Sequence, residues 1–146
     1  MELKEATNYR EGIVALLSSA KLPVDDLPGT LENFLIALQN DEVIGVAGLE
    51  IYADYGLLRS LAVSPDFRGR GLAGQLILQI ESLANLKGLK TIYLLTETAP
   101  AYFKQKGYEN ITRTEVPVEV QQSSEFSHVC PQSAIVMKKD LIKRIE

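Results

Sequence analysis

An arginine- and glycine-rich run, Arg68-Gly69-Arg70-Gly71-Leu72-Ala73-Gly74, joins a segment of strand composition to a long stretch of helical periodicity, and this junction restricts the chain more than any other feature. Upstream, Leu57-Leu58-Arg59-Ser60-Leu61-Ala62-Val63 runs into a Ser64-Pro65 stop. Downstream, residues 72–86 repeat leucine and isoleucine at helical intervals. The closely spaced glycines let the backbone turn tightly and approach a ligand. The unpaired N–H groups and dipole of a helix start favour negative charge there. Arg68 and Arg70 add full positive charges, so phosphate is the natural ligand class. The run is not a P-loop, since no Gly-Lys-Ser/Thr follows.

The 146 residues, 46% of them hydrophobic, suit one domain spanning 1–146 that buries a core without disulfides or metal. No apolar stretch approaches the roughly 18 residues of a membrane span. The opening MELKEATNYR has no hydrophobic signal core, so a cytoplasmic protein without membrane association is expected. The single Cys130 has no disulfide partner, and with His128, the only histidine, it falls short of a zinc set; no metal is expected. Cys130 reads as a small buried hydrophobe, with a thiol near an acceptor cleft as the alternative. A net charge of −4 with dispersed lysines and arginines argues against nucleic acid as a partner. The densest basic patch, Lys138, Lys139, Lys143 and Arg144, reads as a solvated strand end and C-terminus.

Periodicity predicts a short strand at 2–4, then a helix capped by Thr7 or Asn8 that turns Ile13, Val14, Leu16 and Leu17 inward. Pro23 is its first breaker, and LPVDDLPGT (22–30) reads as a loop. Strands at 33–39 and 43–52 flank a hairpin turn at QNDE, and a third strand covers 55–63. After the long helix come a strand, a short helix and one or two closing strands including 133–138. The fold class is therefore α/β, with a mixed, mostly antiparallel sheet flanked by helices.

The segment LLRSLAVSPDFRGRGLAGQLI resembles the coenzyme A binding motif of the GNAT N-acetyltransferase superfamily, Arg/Gln-x-x-Gly-x-Gly/Ala, with Arg68, Gly71 and Ala73 filling the pattern. A second segment, IYLLTETAPAYFKQKGYENI, resembles the family's strand, short helix and Gly-aromatic strand opening, at the family's spacing. The resemblance covers about residues 55–111 and implies the GNAT fold, with acetyl-coenzyme A as cosubstrate and a small-molecule amine as acceptor. It also implies that backbone groups of Leu61, Ala62 and Val63 pair with the pantetheine arm. Main-chain amides of Arg68, Gly69, Arg70, Gly71, Leu72, Ala73 and Gly74 would hold the pyrophosphate. The loop at 22–30 corresponds to one that often borders the acceptor in this superfamily.

Acetyl transfer from a thioester to an amine needs a deprotonated nucleophile, a held carbonyl and a proton for the departing thiolate. The superfamily often carries a tyrosine four residues before its Gly-aromatic pair; here that residue is Phe103. Tyr102 stands one step away, turned by about 100° on a helix. It is a candidate general acid, the alternative being a packed ring with its hydroxyl satisfied elsewhere. Glu97, immediately before the short helix, is a candidate base or amine anchor, against a plainly solvated role. Arg59 falls with Leu57, Leu61 and Val63 on one face of its strand if alternation holds. A cation there needs a partner, either an acidic side chain or a substrate carboxylate gripped by a forked contact.

The C-terminal segment EVPVEVQQSSEFSHVCPQSAIVMKK resembles small acetyltransferases of bacterial arsenic-resistance operons, and LLTETAPAYFKQKGY resembles the acetyltransferase domain of N-acetylglutamate synthases. With Arg59, this points to an amino-acid-like acceptor bearing a carboxylate. Two other functions fit the resemblance: a noncatalytic coenzyme A binding module used for sensing, and a protein N-acetyltransferase. Exposed strand edges would allow a homodimer.

Overall fold

The computed structural model describes residues 2–124, 126 and 134–141. Among the described residues there are seven strands, β1 (Glu2–Glu5), β2 (Phe34–Gln39), β3 (Glu42–Tyr52), β4 (Tyr55–Val63), β5 (Thr91–Thr96), β6 (Glu109–Ile111) and β7 (Ile135–Asp140), with helices α1 (Arg10–Ser19) after β1, α2 (Leu72–Leu86) after β4, α3 (Pro100–Gln105) after β5 and α4 (Val118–Gln121) after β6. The sheet order is β1-β2-β3-β4-β5-β7-β6. The β1–β2, β2–β3, β5–β7 and β6–β7 ladders are antiparallel, whereas β4 and β5 run parallel from Tyr55↔Thr91 to Leu57↔Tyr93. This is the mixed, mostly antiparallel sheet expected from the sequence. The chain divides into two compact units, residues 1–49 with 58–82, and residues 50–57 with 83–146.

In the first unit, α1 forms because Ile13, Leu16 and Leu17 recur at helical spacing and all three are buried. They join Phe34, Ile36, Leu38, Val46 and Ala62 in one apolar cluster. Neither Thr7 nor Asn8 caps the helix as expected. Tyr9 is the N-cap residue, without a side-chain cap, and the turn is entered through Tyr9 N–H donating to the Ala6 carbonyl at 3.0 Å. The helix stops before Pro23. Lys21 adopts φ of +60°, its N–H reaching the Ser18 carbonyl and that of Leu22 reaching the Leu17 carbonyl, a Schellman closure with lysine where glycine is usual. The 22–30 loop is then pinned back by Arg10, whose Nη1 donates to the Pro28 carbonyl at 2.8 Å, and by the buried Leu27.

Asn40 and Asp41 both have positive φ, +52° and +65°, which makes the β2–β3 connection a two-residue hairpin matched to strand twist. Beyond it, α2 lies directly on β3: a Cβ at Gly45 would come within 3.1 Å of Leu76 and 3.2 Å of Leu72. Gly48 is tighter still, with a Cβ there falling 2.5 Å from Cζ of the buried Phe34. Gly48→Ala should therefore destabilise the protein by about 1–3 kcal/mol through overpacking, read as a lower urea midpoint at unchanged slope. An unchanged midpoint would show that the Phe34 ring can retreat.

The second unit has its own core of Leu57, Tyr93, Val116, Val120, Phe126 and Val136. Tyr55 and Tyr93 meet edge to face at 5.9 Å, and burial pushes the Tyr93 phenol above its ordinary pKa. Lys139 donates to the Lys106 carbonyl at 2.9 Å and lies over the Tyr108 ring; Lys138 lies 3.5 Å from Asp140. These lysines belong to the basic patch read from the sequence, while Lys143 and Arg144 lie outside the described residues. So do His128, Cys130 and the rest of 127–133, with residue 125, within the segment that carried the resemblance to arsenic-operon enzymes.

Candidate functional site

Strand β4 sets up the site by departing from regular geometry. Ser60 has φ of +58°, in the left-handed region, in the middle of the strand. Alternation over Leu57, Arg59, Leu61 and Val63 therefore does not run through. Ala62, three residues after Arg59, packs with α1 residues in the first core, and Arg59 reaches the loop that follows α1. The acidic partner of Arg59 is Asp26: Nη1 donates to Oδ2 and Nη2 to Oδ1, both at 2.8 Å, a bidentate fork. The two side chains are only 1% and 8% exposed. Arg59 Nε donates to Ser60 Oγ at 2.9 Å.

At the end of β4, Ser64 N–H still donates to the Ile44 carbonyl at 2.8 Å, and a single 3-10 turn at Pro65–Phe67 redirects the chain. Arg68 Nε donates back to the Val63 carbonyl at 3.1 Å, so the first motif residue is tied to the strand it follows. Gly69 and Gly71 take φ of +78° and +77°, and a Cβ on either would meet nothing within 4 Å. On the side a Cβ would take, both glycines face open space. The Arg70 guanidinium rests over the Phe67 ring at 5.2 Å. Helix α2 begins with Gln75 N–H donating to the Gly71 carbonyl, which leaves the preceding amides to the loop, and no acidic side chain occupies its first turn. Leu72 is buried and anchors the helix, so only its backbone can serve a ligand. Arg59, Leu61, Ala62, Val63 and residues 68–74 all belong to the first unit, where Arg68 ties the loop to Val63. Two left-handed glycines, two arginines and a helix start with no acid in its first turn are of the right chemistry for an anion such as the diphosphate of coenzyme A.

The remaining candidates belong to the second unit. Glu97 is exposed, in the turn after β5 that is held by Ala99 N–H donating to Thr96 Oγ1 at 3.1 Å. Phe103, at the position the resemblance assigns to a tyrosine, is a core residue wedged edge-on between Tyr102 at 5.6 Å and Tyr108 at 5.8 Å. Tyr102 is half-buried, has the Lys106 ammonium over its ring at 5.3 Å, and has its phenol pushed above the ordinary value of 10 by burial. Glu50 accepts a hydrogen bond from Tyr52 Oη at 2.7 Å. Two residues escaped the sequence reading, Asp26 and Ser60. The only signal for Asp26 was a pair of aspartates inside a proline-bounded loop; for Ser60 there was none. Among the described residues no cluster of metal-ligating side chains occurs, and no helix is long and apolar enough to cross a membrane.

The sequence profile of the acetyltransferase (GNAT) domain family matches residues 30–110, more than half of the chain. The chain belongs to the GNAT acetyltransferase domain family. This GNAT domain is 37% identical over 81 residues to an amino-acid acetyltransferase of Ectopseudomonas mendocina, a match covering 54% of the chain and 19% of that protein. It spans about a fifth of the length of the relatives so named. An uncharacterized N-acetyltransferase of Chlorobaculum tepidum is 27% identical over 101 residues, covering 68% of this GNAT domain and 64% of that protein. Among solved structures, N-acetylglutamate synthase of Neisseria gonorrhoeae, in complex with coenzyme A and N-acetyl-glutamate, superposes with a TM-score of 0.82 at 19% identity, covering 97% of the chain and 35% of that one. A Mycobacterium tuberculosis protein crystallised with coenzyme A gives 0.78 at 22% identity, covering 97% and 100%. The GNAT fold expected from the two motifs is thus the fold the domain has.

Proposed function

We propose that this GNAT domain is an acetyl-coenzyme A-dependent N-acetyltransferase whose acceptor is a small amine of the amino-acid class. The observation that carries the proposal is the cradle at 68–74: two left-handed glycines open to solvent, at the head of a helix with no acid in its first turn, within the family's own motif. The diphosphate would rest on those amides, with Arg68 and Arg70 adding charge. The pantetheine arm would pair with the backbone of Leu61, Ala62 and Val63. A held thioester allows direct attack by the acceptor amine, which forms the amide bond and expels the thiolate. Support for an amino-acid acceptor comes from the sequence similarity to amino-acid acetyltransferases over 81 residues. In this reading Glu97 orients or deprotonates the amine, Arg59 borders the acceptor, and Tyr102 returns a proton to the thiolate.

Tyr102 has the protonation state the acid role requires. Burial raises its pKa above that of an ordinary phenol, which keeps the proton on Tyr102. Tyr102→Phe should lower kcat by about a hundredfold with little change in KM for acetyl-coenzyme A. Equal kcat in both proteins across pH 6–9 would assign the proton to water or another group. Thiol release from acetyl-coenzyme A against a panel of amino acids, their phosphinate and arsenical analogues, polyamines and peptides tests the function itself. Turnover confined to peptides would overturn the acceptor class. Tight binding without turnover on any acceptor would favour a sensing module.

A further inference from the structure

A non-glycine residue at positive φ inside a strand is strained and persists only where its surroundings hold it. At Ser60 the neighbouring arginine supplies a hold. Arg59 Nε donates to Ser60 Oγ at 2.9 Å, and the same guanidinium forks onto Asp26, whose backbone carbonyl also lies 3.4 Å from Nη1. Asp26 is itself held, because its loop is fixed by Arg10 at Pro28 and by Leu27 in the core. The planar guanidinium therefore couples a rigid loop to the kinked point of β4. The kink in turn governs how the rest of the strand faces. Were Ser60 to relax to ordinary extended geometry, the two-residue alternation would pass through unbroken. Leu61, Ala62 and Val63 would then exchange faces, and Ala62, 7% exposed, would leave its core.

We propose that Arg59 is a positioning residue for acyl transfer: bridging Asp26 and Ser60, it holds the β4 kink that aims the backbone of Leu61, Ala62 and Val63 at the pantetheine arm. This role rests on the acetyl-coenzyme A reading and deepens it. It gives Arg59 and Asp26 a shared task that requires no direct contact with the acceptor. It also explains why the fork is completed by a third bond to the neighbouring hydroxyl, which a pair serving stability alone does not need.

The test uses two ligands that divide the site. Acetyl-coenzyme A reads both the diphosphate cradle and the pantetheine strand; 3′-phosphoadenosine diphosphate reads the cradle alone. Ser60→Ala keeps the Arg59–Asp26 fork and removes only the hydroxyl. By calorimetric titration it should weaken acetyl-coenzyme A about tenfold, leave 3′-phosphoadenosine diphosphate within about twofold, and keep Tm within about 3 °C. Unchanged affinity for both ligands, or equal weakening of both, overturns the proposal. The paired variant Asp26→Leu with Arg59→Met adds a second reading, since apolar replacement of a buried ion pair usually preserves folding. Folded but about tenfold weaker for acetyl-coenzyme A alone supports positioning; wild-type affinity overturns it. Wild-type protein is titrated first. If it fails to bind acetyl-coenzyme A, the functional reading falls; if it binds and the variants match it, only the positioning role falls.

Discussion

Gly71→Val should lower acetyl-coenzyme A affinity by about a hundredfold or more while the protein remains folded. Gly71 sits at φ of +77°, where a β-branched residue is strained by at least about 1–2 kcal/mol. A Cβ placed there meets no atom beyond its chain neighbours within 4 Å, and Gly71 lies outside the core. The side chain projects instead into the space the diphosphate would fill. Relief of the strain by a return to negative φ would turn the loop's N–H groups away from the phosphates. Two or three charge-assisted bonds at about 1.5–3 kcal/mol each would be lost either way. Calorimetric titration beside a thermal melt separates the outcomes: retained affinity with a lowered Tm would make the glycine a folding requirement rather than part of a cradle.

Arg59→Met should produce the largest loss of stability among these single variants, about 3–5 kcal/mol, because it strands a carboxylate in a site where Asp26 is only 8% exposed. For a chain of this size that corresponds to a drop in Tm on the order of 10 °C. Adding Asp26→Leu to the same protein should recover most of the loss, since the penalty comes from an unpaired charge rather than from missing attraction. Urea denaturation of the two single variants and the double variant gives the cycle. A single variant as stable as wild type would mean that water reaches Asp26 and that the pair is not a buried one.

How far the sequence could be read depends on the range of the interactions involved. The conformation of the 68–74 loop was legible because its requirements are local: Gly69 and Gly71 mark left-handed backbone by residue type, and helical periodicity after them marks α2. The hairpin at Asn40 and Asp41 was legible for the same reason. The bond between Arg59 and Asp26 spans 33 residues, and nothing local distinguishes Asp26 from Asp25 as the partner. The sequence posed the question, a cation on an apolar strand, without answering it. Ser60 gave no sign, since serine has no preference for left-handed backbone and its conformation is imposed by tertiary contacts. The same holds at the ends of α1, where Tyr9 and Lys21 occupy positions usually taken by capping residues and glycine. At Phe103, where the resemblance led one to look for a tyrosine, the ring is buried and packs edge-on with Tyr102 and Tyr108.

Titration of wild-type protein with acetyl-coenzyme A and, in parallel, with acetyl-pantetheine, which has the thioester and arm but no diphosphate, addresses the cradle most directly. Saturable one-to-one binding of acetyl-coenzyme A in the micromolar range, with acetyl-pantetheine weaker by about a hundredfold or more, is the expected result. Equal affinity for the two, or no binding of acetyl-coenzyme A, would contradict it.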